Sequence, residues 1–397
     1  MISLTGTWMQ SMAQSWLVYR LTQSAALLGA VGFVSQVPVL FLGPIAGIVA
    51  DRHSRHRIIV GTQAAMMLQA LLLAALTLAQ AITVREIFVL AFFLGVCNGF
   101  DIPARQSFLI EMVGRDDLMN AIALNSSMFN SARMVGPAIA GLLVASLGEG
   151  MCFLINGLSY LAVLAGLLMM KVSRSRPDAG RARKLDQFKE GVAYVFQNGA
   201  IRSLLLLLAL VSLLGLPYAV LMPIFAEEVL RSGPQGLGGL MTAAGCGALI
   251  GALWLARRRT VLGLDRVVVK ACAGFGIGLM LFGLSRSYWV SVLCLLPAGL
   301  CIMVQMGSTN SLVQSIVDNT MRGRVMGIYA MMFLGVAPFG SLLAGFVAHQ
   351  IDAPAAVIIG GVACLAGAAL LGLRLPALKI DTQLAARMQG GFSERHS

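Results

Sequence analysis

The feature that most constrains this chain is a succession of long apolar runs, separated by short polar breaks. A hydrocarbon core about 30 Å thick takes roughly 20 apolar residues to cross as α-helix. By that rule, membrane spans are expected near 1–19, 26–50, 58–81, 86–111, 120–147 and 151–170, and again near 203–226, 236–256, 266–284, 288–315, 324–348 and 354–373. The runs lack the alternation of barrel strands, so helix is the way their backbone groups are satisfied in lipid. The first run is the most polar. Ser3, Thr5, Thr7, Gln10, Ser11, Gln14 and Ser15 interrupt it, so it either lines an aqueous cavity or has lost its opening turns.

Composition closes off the soluble alternatives. Of 397 residues, 58% are hydrophobic and 12% charged, against about 25% charged in a soluble domain. That excludes a soluble enzyme, a secreted disulfide scaffold and a disordered chain. The seven cysteines all fall inside apolar runs with no CxxC pair, and they read as small core residues rather than a redox or metal site. The net charge of +12 is not a nucleic-acid signal, because the basic residues are confined to the breaks. The breaks at 51–57, 112–119, 171–202, 257–270 and 318–324, with the tail from Arg374, hold 23 of the 29 lysines and arginines. The alternate breaks hold Arg20, Arg85, Arg231 and Arg286. The positive-inside rule then predicts that both termini are cytoplasmic.

The longest break divides the chain six spans to six. The expected organisation is an N-terminal bundle over 1–170, a cytoplasmic linker over 171–199, a C-terminal bundle over 200–374 and a cytoplasmic tail over 375–397. The halves share a faint repeat at an ungapped offset of 204 residues. Gly43 pairs with Gly247, Gly47 with Gly251, Gly95 with Gly299, Gly136 with Gly340 and Gly141 with Gly345.

The break after the second span contains Gly47, Asp51, Arg52, Arg55 and Arg57 in the pattern Gly-x-x-x-Asp-Arg-His-Ser-Arg-His-Arg. It resembles the signature loop between helices 2 and 3 of the major facilitator superfamily, departing from it at Ser54 and His56. The resemblance implies a loop that braces the basic side against the start of helix 11, near Arg322 and Arg324, with Gly47 allowing close helix approach. The fifth span holds Ala132, Arg133, Gly136, Pro137, Ala140 and Gly141. This is similar to the helix 5 antiporter motif of that superfamily, with two alanines in place of glycines, and it implies export. Pro-Ala-Arg-Gln at 103–106, Val-Gly-Arg-Asp-Asp-Leu-Met-Asn at 113–120 and Gly-Thr-Trp-Met-Gln at 6–10 look like the enterobactin-exporter-like branch. Members of that branch carry residues ahead of the position of Ser3, which fits a truncated first helix. The fold implied is all-α, with twelve transmembrane helices in two six-helix bundles.

Charges inside spans are the sharpest local evidence, since an isolated charge at the bilayer centre costs about 2.5–3.5 kcal/mol on insertion scales. Asn98, Asp101 and Arg105 are spaced three and four apart and so share one face of the fourth helix. Asp101 and Arg133 lie roughly 16 Å and 22 Å from the basic ends of their spans, at 1.5 Å per residue. Two such charges in adjacent spans are expected to face inward and offset each other. Asp101 would then exchange a proton while Arg133 meets an anionic or catecholic substrate; the alternative is a fixed ion pair between helices 4 and 5. The amides Gln36, Asn125, Asn130, Asn156, Gln305 and Asn310 either line a cavity or bond a neighbouring helix.

No HExxH, GxSxG or GxxxxGK[ST] pattern is present, so neither hydrolysis nor ATP-driven work by this chain is expected. The reading is a monomeric secondary transporter. It has no cofactor, the proton gradient drives it, and its partners are a small amphipathic substrate and the bilayer. A lysophospholipid carrier of the same fold and a non-transporting membrane subunit are the alternatives.

Overall fold

A computed structural model of the chain describes residues 1–114, 117–170, 184–258 and 260–378. The described residues are helical, without a strand. The first six helices are α1 (Ile2–Thr22), α2 (Ala25–Arg52), α3 (Arg55–Leu78), α4 (Val84–Val113), α5 (Leu118–Leu147) and α6 (Glu149–Met169). After α7 (Lys184–Gln197) come α8 (Gly199–Leu210), α9 (Tyr218–Ile224), α10 (Gly233–Ala256), α11 (Leu264–Leu284) and α12 (Tyr288–Ile316). The chain continues through α13 (Arg322–Ala330), α14 (Ala337–Gln350) and α15 (Ala353–Leu378).

Among the described residues, eleven segments are long and apolar enough to cross a membrane, with α8 and α9 forming one span and α13 and α14 another. The twelfth helix of the bundle is the polar α1, which packs on α5 and α6. Its polarity has a structural use. Gln10 Nε2 donates to Gln69 Oε1 of α3 at 3.0 Å, and Asn156 Nδ2 of α6 donates to Gln10 Oε1 at 2.7 Å. Gln69 Nε2 in turn donates to the Leu90 carbonyl of α4 at 3.4 Å. The Thr5, Thr7 and Ser15 hydroxyls bond carbonyls of their own helix. Removing the Asn156 amide by Asn156→Leu orphans Gln10 Oε1, and the expected cost is about 0.6–1.7 kcal/mol, read as a lower melting temperature in detergent.

The seventh span is broken twice by π turns, at Val211–Gly215 and Phe225–Val229. Proline explains the first. Pro217 has no N–H to continue the ladder, and the Leu216 N–H reaches back five residues to the Val211 carbonyl at 2.9 Å. The eleventh span repeats the device at Met331–Gly335, just before Pro338. The two wide turns are tied together, since Ser212 Oγ donates to the Phe333 carbonyl at 2.5 Å.

α1 to α6 pack mainly among themselves, as do α8 to α15, and the two bundles meet through α5 on α10 and α2 on α14. The repeat places these contacts. A Cβ on Gly345 would lie 2.8 Å from Gly29 Cα, and one on Gly141 would lie 3.1 Å from Gly238 Cα. Equivalent glycines of the two halves therefore seat the two bundles on each other, at the end away from the basic breaks. Toward the basic end, among the described residues, the close glycine contacts lapse. Leu40 still abuts Gly335, but Gly43 and Gly47 of α2 and Gly323 and Gly327 of α13 face open space. α7 lies in the break expected as a linker and docks on α13. There Arg324 pairs with Glu190 and Tyr194 Oη donates to Asp318 Oδ2 at 2.8 Å.

Candidate functional site

Asp101 is buried, with 7% of its side chain exposed, and its carboxylate is fully engaged. Oδ1 accepts from Thr62 Oγ1 at 2.8 Å and Gln63 Nε2 at 3.0 Å, both on α3. Oδ2 accepts from Arg105 Nε and Nη2 at 3.0 and 2.9 Å. The shared helix face expected for Asp101 and Arg105 is thus an ion pair one turn apart, while Asn98 lies half-buried a turn earlier. Arg105 keeps 47% of its side chain exposed, so the pair joins a buried carboxylate to an accessible cation.

The expected approach of Asp101 to Arg133 does not occur. α4 packs on α2 and α3, whereas α5 packs on α1 and α10, so the two charged faces turn to different neighbours. With Arg105 one turn away, Asp101 needs no cation from another helix. The Arg133 guanidinium lies 5.7 Å from the centre of the Trp8 ring on α1. Trp8 meets Phe129 edge-on at 5.6 Å. Around Arg133 the backbone of α5 faces the second bundle: Thr242 Oγ1 of α10 donates to the Met134 carbonyl at 3.2 Å. Among the described residues Arg133 makes no ion pair. A mid-span cation held only by an aromatic face has its charge available, because cation–π attraction supplies about 0.5–2 kcal/mol and no neutralisation.

The antiporter-like motif is a two-sided packing surface. A Cβ on Gly136 would lie 2.6 Å from Trp8 Cβ on one side, while the Pro137 carbonyl and Gly141 meet Gly238 on the other. In the basic loop, Arg55 pairs with Glu111 of α4 and Arg57 is exposed. The side chains of Asp51 and Arg52 lie outside the described residues. Close helix approach at Gly47 is not made, since nothing comes within 4 Å of a Cβ there, and Arg324 is held by Glu190 instead of being left for the loop. Of the amides, Asn156 bonds across helices. Gln36, Asn130 and Gln305 donate within their own helices, and Asn310 accepts from Gln314 on the same helix. No group of three His, Cys, Asp or Glu side chains suited to a metal ion occurs among the described residues.

Three features were not apparent in the sequence. Trp8 in a span reads as ordinary packing until Arg133 is seen beside it. The Gln10 and Gln69 pairing needs two helices 59 residues apart in sequence. Tyr19 at the end of α1 donates to Glu228 in the second π turn of the seventh span, a link between bundles with no local signature.

Residues 1–394 match the family described as transmembrane secretion effector. A staphyloferrin A transporter of Staphylococcus aureus is 28% identical over 341 residues, 85% of each chain. A multidrug efflux pump, Tap, of Mycobacterium tuberculosis is 27% identical over 403 residues, covering 96% of this chain and 92% of its own. A macrolide efflux protein A of Streptococcus pyogenes is 23% identical over 337 residues, covering 83% and 82%. Among solved structures, a mutant of the nucleoside transporter NupG superposes with a TM-score of 0.70 at 16% identity, covering 94% of this chain and 96% of that one. A bacterial homologue of the human lysosomal transporter Spinster, inward-facing and unoccupied, gives 0.65 at 14% identity over 97% of each chain. These two show the fold. With the family match spanning nearly the whole chain, the protein belongs to the transmembrane secretion effector family and is a membrane transporter of small molecules with the major facilitator fold, not an enzyme.

Proposed function

We propose that the protein is a proton-coupled exporter of a small amphipathic anion, of the siderophore type, working by alternating access across the bacterial inner membrane as a monomer. The observation that carries the substrate class is Arg133, a mid-span cation beside Trp8 and Phe129 with no carboxylate paired to it among the described residues. An anionic group would meet the guanidinium and an aromatic or apolar one the rings. The staphyloferrin A transporter among the relatives supports the siderophore reading, and the efflux pumps support the direction. The bias of the basic breaks supports a cytoplasmic position for the parted end of the bundles and for both termini, with substrate entering from inside. The helix 2–3 loop, with Asp51 and Arg52, is the brace that engages when that end closes.

Coupling is assigned to Asp101 and Arg105. A proton on Asp101 removes the anion that holds Arg105, which is the exposed member of the pair. Loss of the proton restores the pair and its bonds to α3. The test is gradient-driven movement in inside-out vesicles of a catecholate siderophore, a cationic dye and a lysophospholipid, in wild type and Asp101→Asn. Siderophore movement is expected in wild type and is expected to fall to background in the variant. Protein yield should hold, because an asparagine carbonyl still accepts from Thr62 and Gln63. Transport that survives the substitution sinks the coupling role. Movement of lysophospholipid alone would move the substrate class to lipid.

A further inference from the structure

We propose that Glu228 is a second proton-binding site, distinct from Asp101, and that its bond to Tyr19 is a proton-released latch on the end of the transporter where the bundles meet. Tyr19 is the last large buried side chain of α1, 2% exposed, and its hydroxyl donates to the Glu228 carboxylate across the boundary between bundles. Glu228 is exposed and sits in the wide turn Phe225–Val229. The pair borders a cavity of about 470 Å³ that opens at this end, lined also by Gln23, Arg286, His349 and Asp352. Water therefore reaches the carboxylate, while the phenol that holds it borders the cavity and is almost wholly buried.

The chemistry follows from what the latch requires. A carboxylate accepts the phenolic proton in a charge-assisted bond, roughly twice as strong as a neutral one. When Glu228 takes a proton from water on that side, it becomes a neutral acid and Tyr19 keeps its own proton. The bond then drops to the neutral class, and the glycine contacts are left to hold the bundles. The latch is closed when Glu228 is ionised and loosened when it carries a proton. Tyr19 on α1, Arg286 between α11 and α12, His349 on α14 and Asp352 between α14 and α15 line the cavity with Glu228, and Glu227 neighbours it on its own turn. Arg20, next to Tyr19, is engaged by Glu149 at 2.7 Å. The proposal uses the export reading only for the side from which the proton arrives.

The test is the distance between spin labels attached at Leu21→Cys and Ile351→Cys, both exposed and one on each bundle. The labels are attached at neutral pH, and the protein in lipid nanodiscs is then brought to about pH 7.5 or about pH 4.5. A parent lacking the two added thiols corrects for the native cysteines. In wild type the ratio of separated to closed bundles is expected to rise about tenfold at the lower pH. Glu228→Gln and Tyr19→Phe are each expected to show the raised ratio at both pH values, with no further response. His349→Gln and Asp352→Asn are expected to respond as wild type does. A wild type without a pH response overturns the proposal, as does a Glu228→Gln variant that still responds. Loss of the response in His349→Gln would give the sensor to that histidine instead. Because this distance is read without any substrate, it is independent of the vesicle transport assay, and either reading can fail alone.

Discussion

Gly345→Leu is expected to push the transporter out of the conformation described, with the two bundles separated at the end where they now touch. The reason is that nothing soft surrounds the position. A Cβ on Gly345 would lie 2.6 Å from the Ala25 carbonyl oxygen and 2.8 Å from Gly29 Cα, and both are backbone atoms. No rotamer change relieves such a contact, so α2 and α14 must part. Overpacking of this kind costs about 1–3 kcal/mol, which is roughly a 5- to 150-fold change in population. The spin-label pair at Leu21 and Ile351 should report a dominant long distance, and transport should fall because the cycle is held on one side. Gly141→Leu should act in the same direction, since its Cβ would meet the Pro234 carbonyl oxygen at 2.9 Å and Gly238 Cα at 3.1 Å. Gly47→Leu, placed in open space, should leave this conformation in place. Unchanged distances in Gly345→Leu would mean that the glycine contacts do not set the closed end.

Arg133→Gln is expected to abolish transport of an anionic substrate while leaving the protein folded. Arg133 has no ion pair among the described residues to lose, and the substitution forfeits its contact with Trp8, about 0.5–2 kcal/mol. Loss of a desolvated charge contact to a ligand weighs more, about 2–5 kcal/mol, or some thirtyfold and upward in binding. Arg133→Lys should recover part of the activity, because it keeps the point charge without the planar fork. The comparison is substrate binding and transport against melting temperature for the three proteins. If Arg133→Gln binds the anion as tightly as wild type, the substrate lies elsewhere between the bundles.

Much of this architecture could be read from the order of residues, and the exceptions share one physical cause. Span length is a local property, so the crossings were visible, and the polar first run was read as a span from its length alone. The repeat was also visible, and Gly141 and Gly345, matched by their offset alone, are the positions where the bundles meet. Partnership is not local. Asp101 and Arg133 looked complementary because both are costly alone, but helix rotation sends one toward α3 and the other toward α1. The partner that Asp101 takes was four residues away in its own helix. The Tyr19 link to Glu228 spans 209 residues and joins an ordinary tyrosine to an ordinary surface glutamate, so no spacing could have announced it. A proline follows each of the turns Val211–Gly215 and Met331–Gly335, but a proline marks only a disturbance of its span and does not announce a widened turn.

Those widened turns have a geometric consequence. An α-helix advances about 100° per residue, and a π turn absorbs one residue more than the helix around it. If the turn at Phe225–Val229 reverted to α geometry, its later residues, Glu228 among them, would swing by up to about 100° and leave the line of the Tyr19 hydroxyl. Reversion at Met331–Gly335 would likewise turn α14, and with it Gly345, away from Gly29. The Tyr19 bond to Glu228 and the seat of Gly345 on Gly29 thus each depend on one surplus residue, and deleting a residue from either turn should break its contact outright where a point substitution would only loosen it.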